Sequence, residues 1–154
     1  MKIDYLCNRK EYINVVSKWV FDEFVVGSGS KSSIEDLIEF FSSTSVDDYP
    51  ITFVAYNESG CLGAISMFEN DLKTQNELKP WLASLYVAPQ NRNQGVAEEL
   101  IKSVIQKTEE LGYSELYLRT EHTSTYYKKR GWEFVYKTHD EKGQETGVYK
   151  FKIK

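Results

Sequence analysis

The sequence predicts a single α+β domain over residues 1–154, with a mixed central sheet of six to seven strands flanked by about four helices. Apolar residues recur at helical spacing in three segments, and a fourth, short helical piece is stopped by Gly131. Shorter runs rich in Val, Ile, Tyr and Phe are bounded by turn residues. Between residues 81 and 120 a strand pattern, a long helical pattern and a second strand pattern follow one another. This is the order of a βαβ unit, so these two strands are predicted to be parallel.

The elements are predicted in the order β, α, α, β, β, β, α, β, α, β, β. Ser32 and Glu35 form the capping-box pattern that starts the second helix, and Gly112 supplies the left-handed stop of the third. The run at 81–87 is apolar on both faces, as in a central strand. The predicted strands cover residues 2–6, 50–56, 61–68, 81–87, 114–120, 132–136 and 148–153, and the predicted helices cover 9–24, 32–41, 95–111 and 123–130.

Composition excludes several classes of protein. No apolar run approaches the roughly 18 residues that cross a bilayer, and Met1–Tyr5 lacks the apolar region of a secretory signal. The net charge of −4, without a basic stripe, argues against nucleic acid as a partner. Cys7 and Cys61 have no metal-ligand spacing, so we expect two reduced thiols, no metal site and a cytoplasmic protein.

A candidate anion site lies where the strand pattern 81–87 turns into the helical pattern 95–111. The first turn of a helix carries N–H donors without intrahelical partners and a partial positive charge, which suits a phosphate group. Gly95 allows close backbone approach, Ala97 keeps the next approach point small, and Arg92 adds a positive fork. A phosphate-loop nucleotide hydrolase is disfavoured, because no Gly-Lys-Ser/Thr follows the glycine.

Arg92-Asn93-Gln94-Gly95-Val96-Ala97 resembles the pyrophosphate-binding motif of the GNAT superfamily, the acyl-CoA-dependent N-acyltransferases. That motif reads Arg or Gln, two residues, Gly, one residue, and Gly or Ala. Val87-Ala88-Pro89 precedes it here, as in many members, and the segment from Tyr126 to Trp132 is similar to the family's aromatic-Tyr-x-Lys-x-Gly-aromatic segment. The element order also matches, so the resemblance covers essentially the whole chain. It implies the GNAT fold, in which the two parallel strands splay apart.

The resemblance implies acetyl-CoA as the cofactor. Pantetheine would pair with backbone groups of Leu85 and Val87, with Tyr86 pointing to the other face. Amides from Asn93 to Ala97 would hold the pyrophosphate beside Arg92. Thr120 stands where many relatives have an Asn that contacts the cofactor. The residues expected to bind acetyl-CoA are therefore Leu85, Tyr86, Val87, Arg92, Asn93, Gln94, Gly95, Val96, Ala97, Thr120 and Tyr127.

Attack of an amine on a thioester needs a base for the ammonium proton and a donor for the departing thiolate. Tyr127, four residues before Gly131, matches the family's general-acid tyrosine, while Tyr126 is expected to face the core. Several members use a glutamate on the strand before the motif as base, but 81–87 contains no carboxylate. The candidates left open are Glu69, Asp71, Glu121 and His122.

These patterns predict an N-acetyltransferase that moves acetyl from acetyl-CoA to a primary amine by direct attack in a ternary complex. The alternative is a non-catalytic acyl-CoA sensor that kept the fold and the cofactor site. A small-molecule acceptor is favoured over a protein, but polyamine, aminoglycoside, amino acid and protein N-terminus all remain open, as does a homodimer. Specificity is expected to come from the loops 25–33 and 69–80.

Overall fold

The computed structural model describes residues 1–153, which form seven strands and four α-helices in the predicted order. The predicted mixed sheet is confirmed, and the boundaries differ by a few residues. The strands are β1 (Lys2–Tyr5), β2 (Ile51–Asn57), β3 (Gly60–Phe68), β4 (Trp81–Val87), β5 (Glu115–Thr120), β6 (Glu133–His139) and β7 (Glu145–Lys152), and the helices are α1 (Ile13–Val20), α2 (Ile34–Ser42), α3 (Val96–Glu110) and α4 (Ser124–Lys128).

The strands lie in one sheet in the order β1-β2-β3-β4-β5-β7-β6. Strands β1 and β2, β2 and β3, β5 and β7, and β6 and β7 pair antiparallel. Strands β4 and β5 pair in parallel at Trp81 and Tyr117, and the Tyr117 N–H donates to the Pro80 carbonyl over 3.0 Å. The parallel pair predicted from the βαβ pattern is therefore confirmed.

The chain divides into two compact units, and β4 passes from one to the other. Within the described residues, the first unit comprises Met1–Met67 and Ser84–Val104, and the second comprises Phe68–Ala83 and residues 105–153. Each has its own apolar cluster, which excludes water from the elements around it. The first cluster contains Leu6, Val16, Val20, Phe41, Val54 and Ala64, and the second contains Leu72, Trp81, Tyr117 and Val148.

The helices of the first unit depart from prediction at their ends. The predicted helix 9–24 is a 3₁₀ turn, then α1, then a π-helical turn at Phe21–Val25, where the Val26 N–H reaches the Phe21 carbonyl. The spacing of apolar residues cannot distinguish 3₁₀-, α- and π-helical turns, because each of them can present one apolar face. The capping box of α2 lies at Ser33 and Asp36, one residue later than the predicted Ser32 and Glu35. Of the helices within residues 1–153, none has both the length and the apolar character needed to cross a membrane.

The predicted loop 69–80 is attached to β6 in the second unit. The Thr74 hydroxyl donates to the His139 carbonyl over 2.9 Å, and the Gln75 side chain bonds to the Tyr136 hydroxyl. These contacts fix the segment that follows β3. Strands β6 and β7 run further than predicted, up to the turn at 140–144, because polar residues there continue the pairing.

Candidate active site

The turn between β4 and α3, residues Arg92 to Ala97, is called the phosphate turn below. Asn93 and Gly95 have positive φ values of 63° and 83°. The Glu99 N–H donates to the Gly95 carbonyl over 3.2 Å, so the amides of Val96 and Ala97 precede this hydrogen bond of the helix. A Cβ added at Gly95 would meet nothing within 4 Å. The predicted donor-rich turn is therefore built, with open space beside its glycine.

Two contacts fix the side chain of Arg92, the first residue of the phosphate turn. Its Nε donates to the Val87 carbonyl over 2.8 Å, and its guanidinium carbon lies 5.4 Å from the centre of the Tyr86 ring. The Tyr86 ring in turn packs against Trp19 of α1, with centroids 5.4 Å apart. A cation over an aromatic face is stabilised by the ring quadrupole. Tyr86 thus contacts α1 and Arg92 through its side chain, which sequence reasoning did not assign to it.

Strand β4 contains an irregularity that the sequence does not signal. Ser84 has a φ of 53°, a left-handed conformation that costs an L residue roughly 1–2 kcal/mol. Such strain persists where the surroundings fix it, and it concentrates at functional sites. In the sequence, Ser84 stands in an otherwise apolar run and resembles any strand residue. Leu85 and Tyr86, which follow it, are half-buried.

Tyr127 is buried in α4 at 9 % exposure. Its ring packs edge-on against Tyr126 and Trp132, at centroid distances of 5.2 and 5.8 Å. Burial raises the pKa of the Tyr127 hydroxyl to about 12, so this group stays protonated at neutral pH. The expectation that Tyr126 faces the core is wrong: it is half-buried, and the Arg130 guanidinium lies 3.6 Å from its ring centre.

Asp71 lies among charged side chains of the second unit. Arg119 Nε is 3.9 Å from Asp71 Oδ2, and Arg119 Nη1 is 3.8 Å from Asp140 Oδ2. The Thr146 hydroxyl donates to Glu121 Oε2. Burial raises the pKa of Asp71 to about 6, Arg119 opposes this rise and Glu121 adds to it. Asp71, Arg119, Glu121 and Asp140 are called the Asp71 cluster below.

The other predicted site residues are less closely packed. Glu69 and His122 are exposed, and within residues 1–153 neither side chain takes part in a hydrogen bond or ion pair. The Thr120 hydroxyl lies 2.7 Å from the Thr123 hydroxyl and accepts the Thr123 N–H, so it serves the turn into α4. In the described part of the chain, no three His, Cys, Asp or Glu side chains are grouped to hold a metal ion.

Sequence reasoning missed Arg119 and Asp140. The only available signal is that Arg119 breaks the apolar pattern near the end of a predicted strand, on the face shared by Tyr117. Cys7 and Cys61 are free, as predicted, although Cys7 lies in a 3₁₀ turn after β1 rather than on the strand. Burial raises the pKa of Cys61 to about 12, which keeps its thiol protonated and a poor nucleophile.

Comparison with known protein families matches residues 48–134 to the family described as "Acetyltransferase (GNAT) domain". The match spans more than half of the chain. The chain belongs to the GNAT acetyltransferase family. The two motifs that resembled this family lie within or at the edge of the matched segment, and the matched segment includes both the phosphate turn and Tyr127.

Solved structures share the fold of this GNAT domain over its whole length. An aminoglycoside 6'-N-acetyltransferase complexed with coenzyme A has a TM-score of 0.77 at 16 % identity, covering 100 % of this chain and 98 % of its own. An N-acetyltransferase from Staphylococcus aureus Mu50 has a TM-score of 0.76 at 16 % identity, with both chains fully covered. A variant of spermidine N-acetyltransferase from Vibrio cholerae has a TM-score of 0.72 at 13 % identity, covering 99 % and 95 %. No curated protein sequence matches significantly.

Proposed function

We propose that this GNAT protein transfers the acetyl group of acetyl-CoA to the primary amine of a small molecule, by direct attack in a ternary complex. The observation that carries the proposal is the Asp71 carboxylate, whose pKa burial raises to about 6 beside the Arg119 guanidinium, in a family whose reaction requires a base. The structural relatives whose names refer to aminoglycoside and spermidine substrates support a small amine as acceptor.

The phosphate turn fits the diphosphate of acetyl-CoA. Unpaired amides at the start of the 15-residue α3 and the fixed Arg92 guanidinium both favour a dianion. The open space beside Gly95 leaves room for close approach. A similar fold has been solved with coenzyme A bound. We assign the diphosphate to Arg92 and the amides from Asn93 to Ala97, and the pantetheine contacts to backbone groups of Leu85 and Val87. When bound, acetyl-CoA supplies the activated acetyl thioester.

Asp71 is the proposed general base. An alkylammonium group has a pKa of about 10, so it must lose a proton before it can attack a carbonyl. A base is most effective when its own pKa lies near the working pH, and the pKa of about 6 at Asp71 meets this condition. Glu69 and His122 are both exposed to solvent, and neither belongs to the Asp71 cluster. The cluster contains three carboxylates and one guanidinium, which gives it a negative balance that attracts a cationic amine.

Tyr127 is the proposed general acid. Because the raised pKa keeps its hydroxyl protonated, it can donate a hydrogen bond, and then a proton, to the departing sulfur. Neither thiol is assigned a covalent role: Cys7 and Cys61 lie outside the phosphate turn and the Asp71 cluster, and the raised pKa of the half-buried Cys61 keeps its thiol protonated. We place the protein in the cytoplasm because both cysteines are free, as is usual in a reducing compartment.

The test is release of free CoA thiol from acetyl-CoA in the presence of a panel of amines, with polyamines, aminoglycosides, amino acids and a peptide N-terminus represented. Tyr127→Phe is expected to lower kcat about 100-fold, the lower range for loss of a general acid, with little change in the Kd of acetyl-CoA. The matched control is Tyr126→Phe, which removes the neighbouring hydroxyl and should leave kcat near that of the wild type.

Two results would contradict the proposal. Equal turnover by the wild type and Tyr127→Phe would remove the general acid from the mechanism. Tight acetyl-CoA binding without amine-dependent thiol release across the panel would instead indicate an acyl-CoA sensor.

A further inference from the structure

The Arg119 guanidinium stands between two carboxylates of the second unit at nearly equal distances. Its Nε is 3.9 Å from Asp71 Oδ2, and its Nη1 is 3.8 Å from Asp140 Oδ2. Hydrogen bonds between a guanidinium and a carboxylate are about 2.7–2.9 Å long. Both contacts are therefore electrostatic attractions that stop about 1 Å short of a hydrogen bond. Both carboxylates attract the guanidinium, and neither forms a hydrogen-bonded pair with it.

Asp140 is a rigid partner in this arrangement. Its Oδ1 accepts the backbone N–H groups of Lys142 and Gln144, each over 2.9 Å, which fixes the carboxylate in the turn before β7. The hydrogen bond from Gln144, together with that from Lys142, lowers the pKa of Asp140, so this carboxylate is ionised at neutral pH. Its second oxygen, Oδ2, is the one that attracts Arg119.

We propose that Asp140 is a positioning residue that draws the Arg119 guanidinium away from Asp71 and so leaves the Asp71 carboxylate free to accept a proton. The inference rests on the proposed role of Asp71 as general base. If Asp140 were neutral, the guanidinium would move the remaining 1 Å and form a hydrogen-bonded pair with Asp71. A carboxylate in such a pair is a weak base, because the cation stabilises its charged form.

The other charged groups around Asp71 have fixed partners. Glu121, in the segment after β5, raises the pKa of Asp71 and is held by the Thr146 hydroxyl of β7. Lys73, two residues after Asp71, lies 3.5 Å from the Glu141 carboxylate in the turn before β7. Arg119 on β5 is therefore the charge whose position Asp140 can change.

The experiment compares the pH dependence of kcat/KM in four forms of the enzyme. Asp140→Asn keeps the oxygen that accepts the two turn amides, so the fold of the turn is preserved. This variant is expected to move the acidic limb of the kcat/KM profile to lower pH by about 1 unit. The reason is that Arg119 then approaches Asp71, and a close cation lowers a carboxylate pKa by about 1–3 units. Arg119→Gln is expected to shift the limb up by about 1 unit, because the opposing cation is gone. Glu145→Gln, which removes an exposed partner of Lys137, should not move it.

If Asp140 only stabilised the fold, Asp140→Asn and Arg119→Gln would not move the acidic limb of the pH profile in opposite directions. In the Arg119→Gln background, Asp140→Asn should add no further shift, because Asp140 acts through Arg119. An NMR titration of the Asp71 carboxyl carbon, without acetyl-CoA or amine, measures the change in the Asp71 pKa directly. An Asp71 pKa that is unchanged in Asp140→Asn overturns the inference. If the NMR pKa moves as expected but the kinetic limb does not follow, the positioning effect stands and the role of Asp71 as base fails.

Discussion

The phosphate turn and the Asp71 cluster differ in the part of the chain that supplies their charge. The phosphate turn uses backbone amides and one arginine from six consecutive residues, shaped by left-handed backbone at Asn93 and Gly95. The Asp71 cluster uses side chains from the β3–β4 connection, from β5 and its end, and from the β6–β7 turn. Local backbone geometry is therefore enough to build the first, whereas the second exists only when three parts of the second unit are in place.

The phosphate turn and the Asp71 cluster also differ in how much they reduce the stability of the folded state. Amides in the first turn of a helix have no intrahelical partner, so an anion site made from them requires little beyond a suitable glycine. A buried carboxylate loses hydration, which destabilises the folded state whenever the group is charged. Variants of the Asp71 cluster should therefore change activity and stability together, whereas variants of the phosphate turn should act mainly on cofactor binding.

Asp71→Asn is expected to produce the largest loss of activity. Removing a general base typically costs about 10²–10⁴ in rate, so we expect kcat/KM to fall about 100-fold at pH 7.5. Steady-state kinetics of thiol release measure this. The comparison variant is Glu69→Gln, which neutralises the exposed carboxylate two residues earlier and should retain activity. The reverse pattern, with Glu69→Gln inactive and Asp71→Asn active, would transfer the role of base to Glu69.

The same Asp71→Asn variant should be more stable than the wild type above pH 6. The pKa of Asp71 is about 6 in the folded state and 3.8 in the unfolded state, so the folded state binds the proton more tightly. The stabilisation that this binding gives is complete below pH 3.8 and is lost as pH rises to about 6. A rise of about 2 units corresponds to a gain of about 3 kcal/mol at pH 8. Urea unfolding at pH 8, 6 and 4.5 should show the gain shrinking as pH falls. A gain independent of pH would show that burial of charge at Asp71 is not its cause.

The same contrast explains which parts of the structure the sequence could predict. The element order and parallel pair followed from apolar periodicity and a βαβ pattern, since both depend on neighbouring residues. The phosphate turn followed from six adjacent residues. Tyr127 was reached through a short motif of the same kind, and the structure places it in the interior. Features encoded within about ten residues were therefore recovered.

Features that depend on distant residues were not recovered. Asp71 was one of four candidate bases, and nothing in its local sequence separates it from Glu69. The difference arises from the burial of Asp71 in the folded chain and from the charges of Arg119 and Glu121, which are 48 and 50 positions further along the chain. The left-handed Ser84 was missed because propensity assigns no turn to a serine inside an apolar strand. Tyr126 was placed in the wrong environment because α4 is too short for a clear apolar face.

Gly95→Ala should weaken acetyl-CoA binding about tenfold. An alanine at a φ of 83° carries roughly 1–2 kcal/mol of strain, and relief of that strain reorients the amides of the phosphate turn. Gly112→Ala is the matched control, because Gly112 has a φ of 88° and equally open space but ends α3 away from the turn. Both variants should lose similar stability in urea unfolding. Only Gly95→Ala should raise the Kd in calorimetry, and equal effects on the Kd would mean that the loss reflects general destabilisation.

Tyr86→Leu should have a smaller effect on the same binding constant. The Tyr86 ring supports the Arg92 guanidinium, and an exposed cation–π contact contributes about 0.5–1 kcal/mol, which predicts a two- to fivefold rise in the Kd of CoA. The rise should diminish at high salt, because the proposed action of Arg92 on the diphosphate is electrostatic. Tyr86→Phe keeps the ring face toward Arg92 and toward Trp19, and should bind CoA as the wild type does. A loss of affinity in Tyr86→Phe would implicate the hydroxyl rather than the ring, and would separate Tyr86 from the positioning of Arg92.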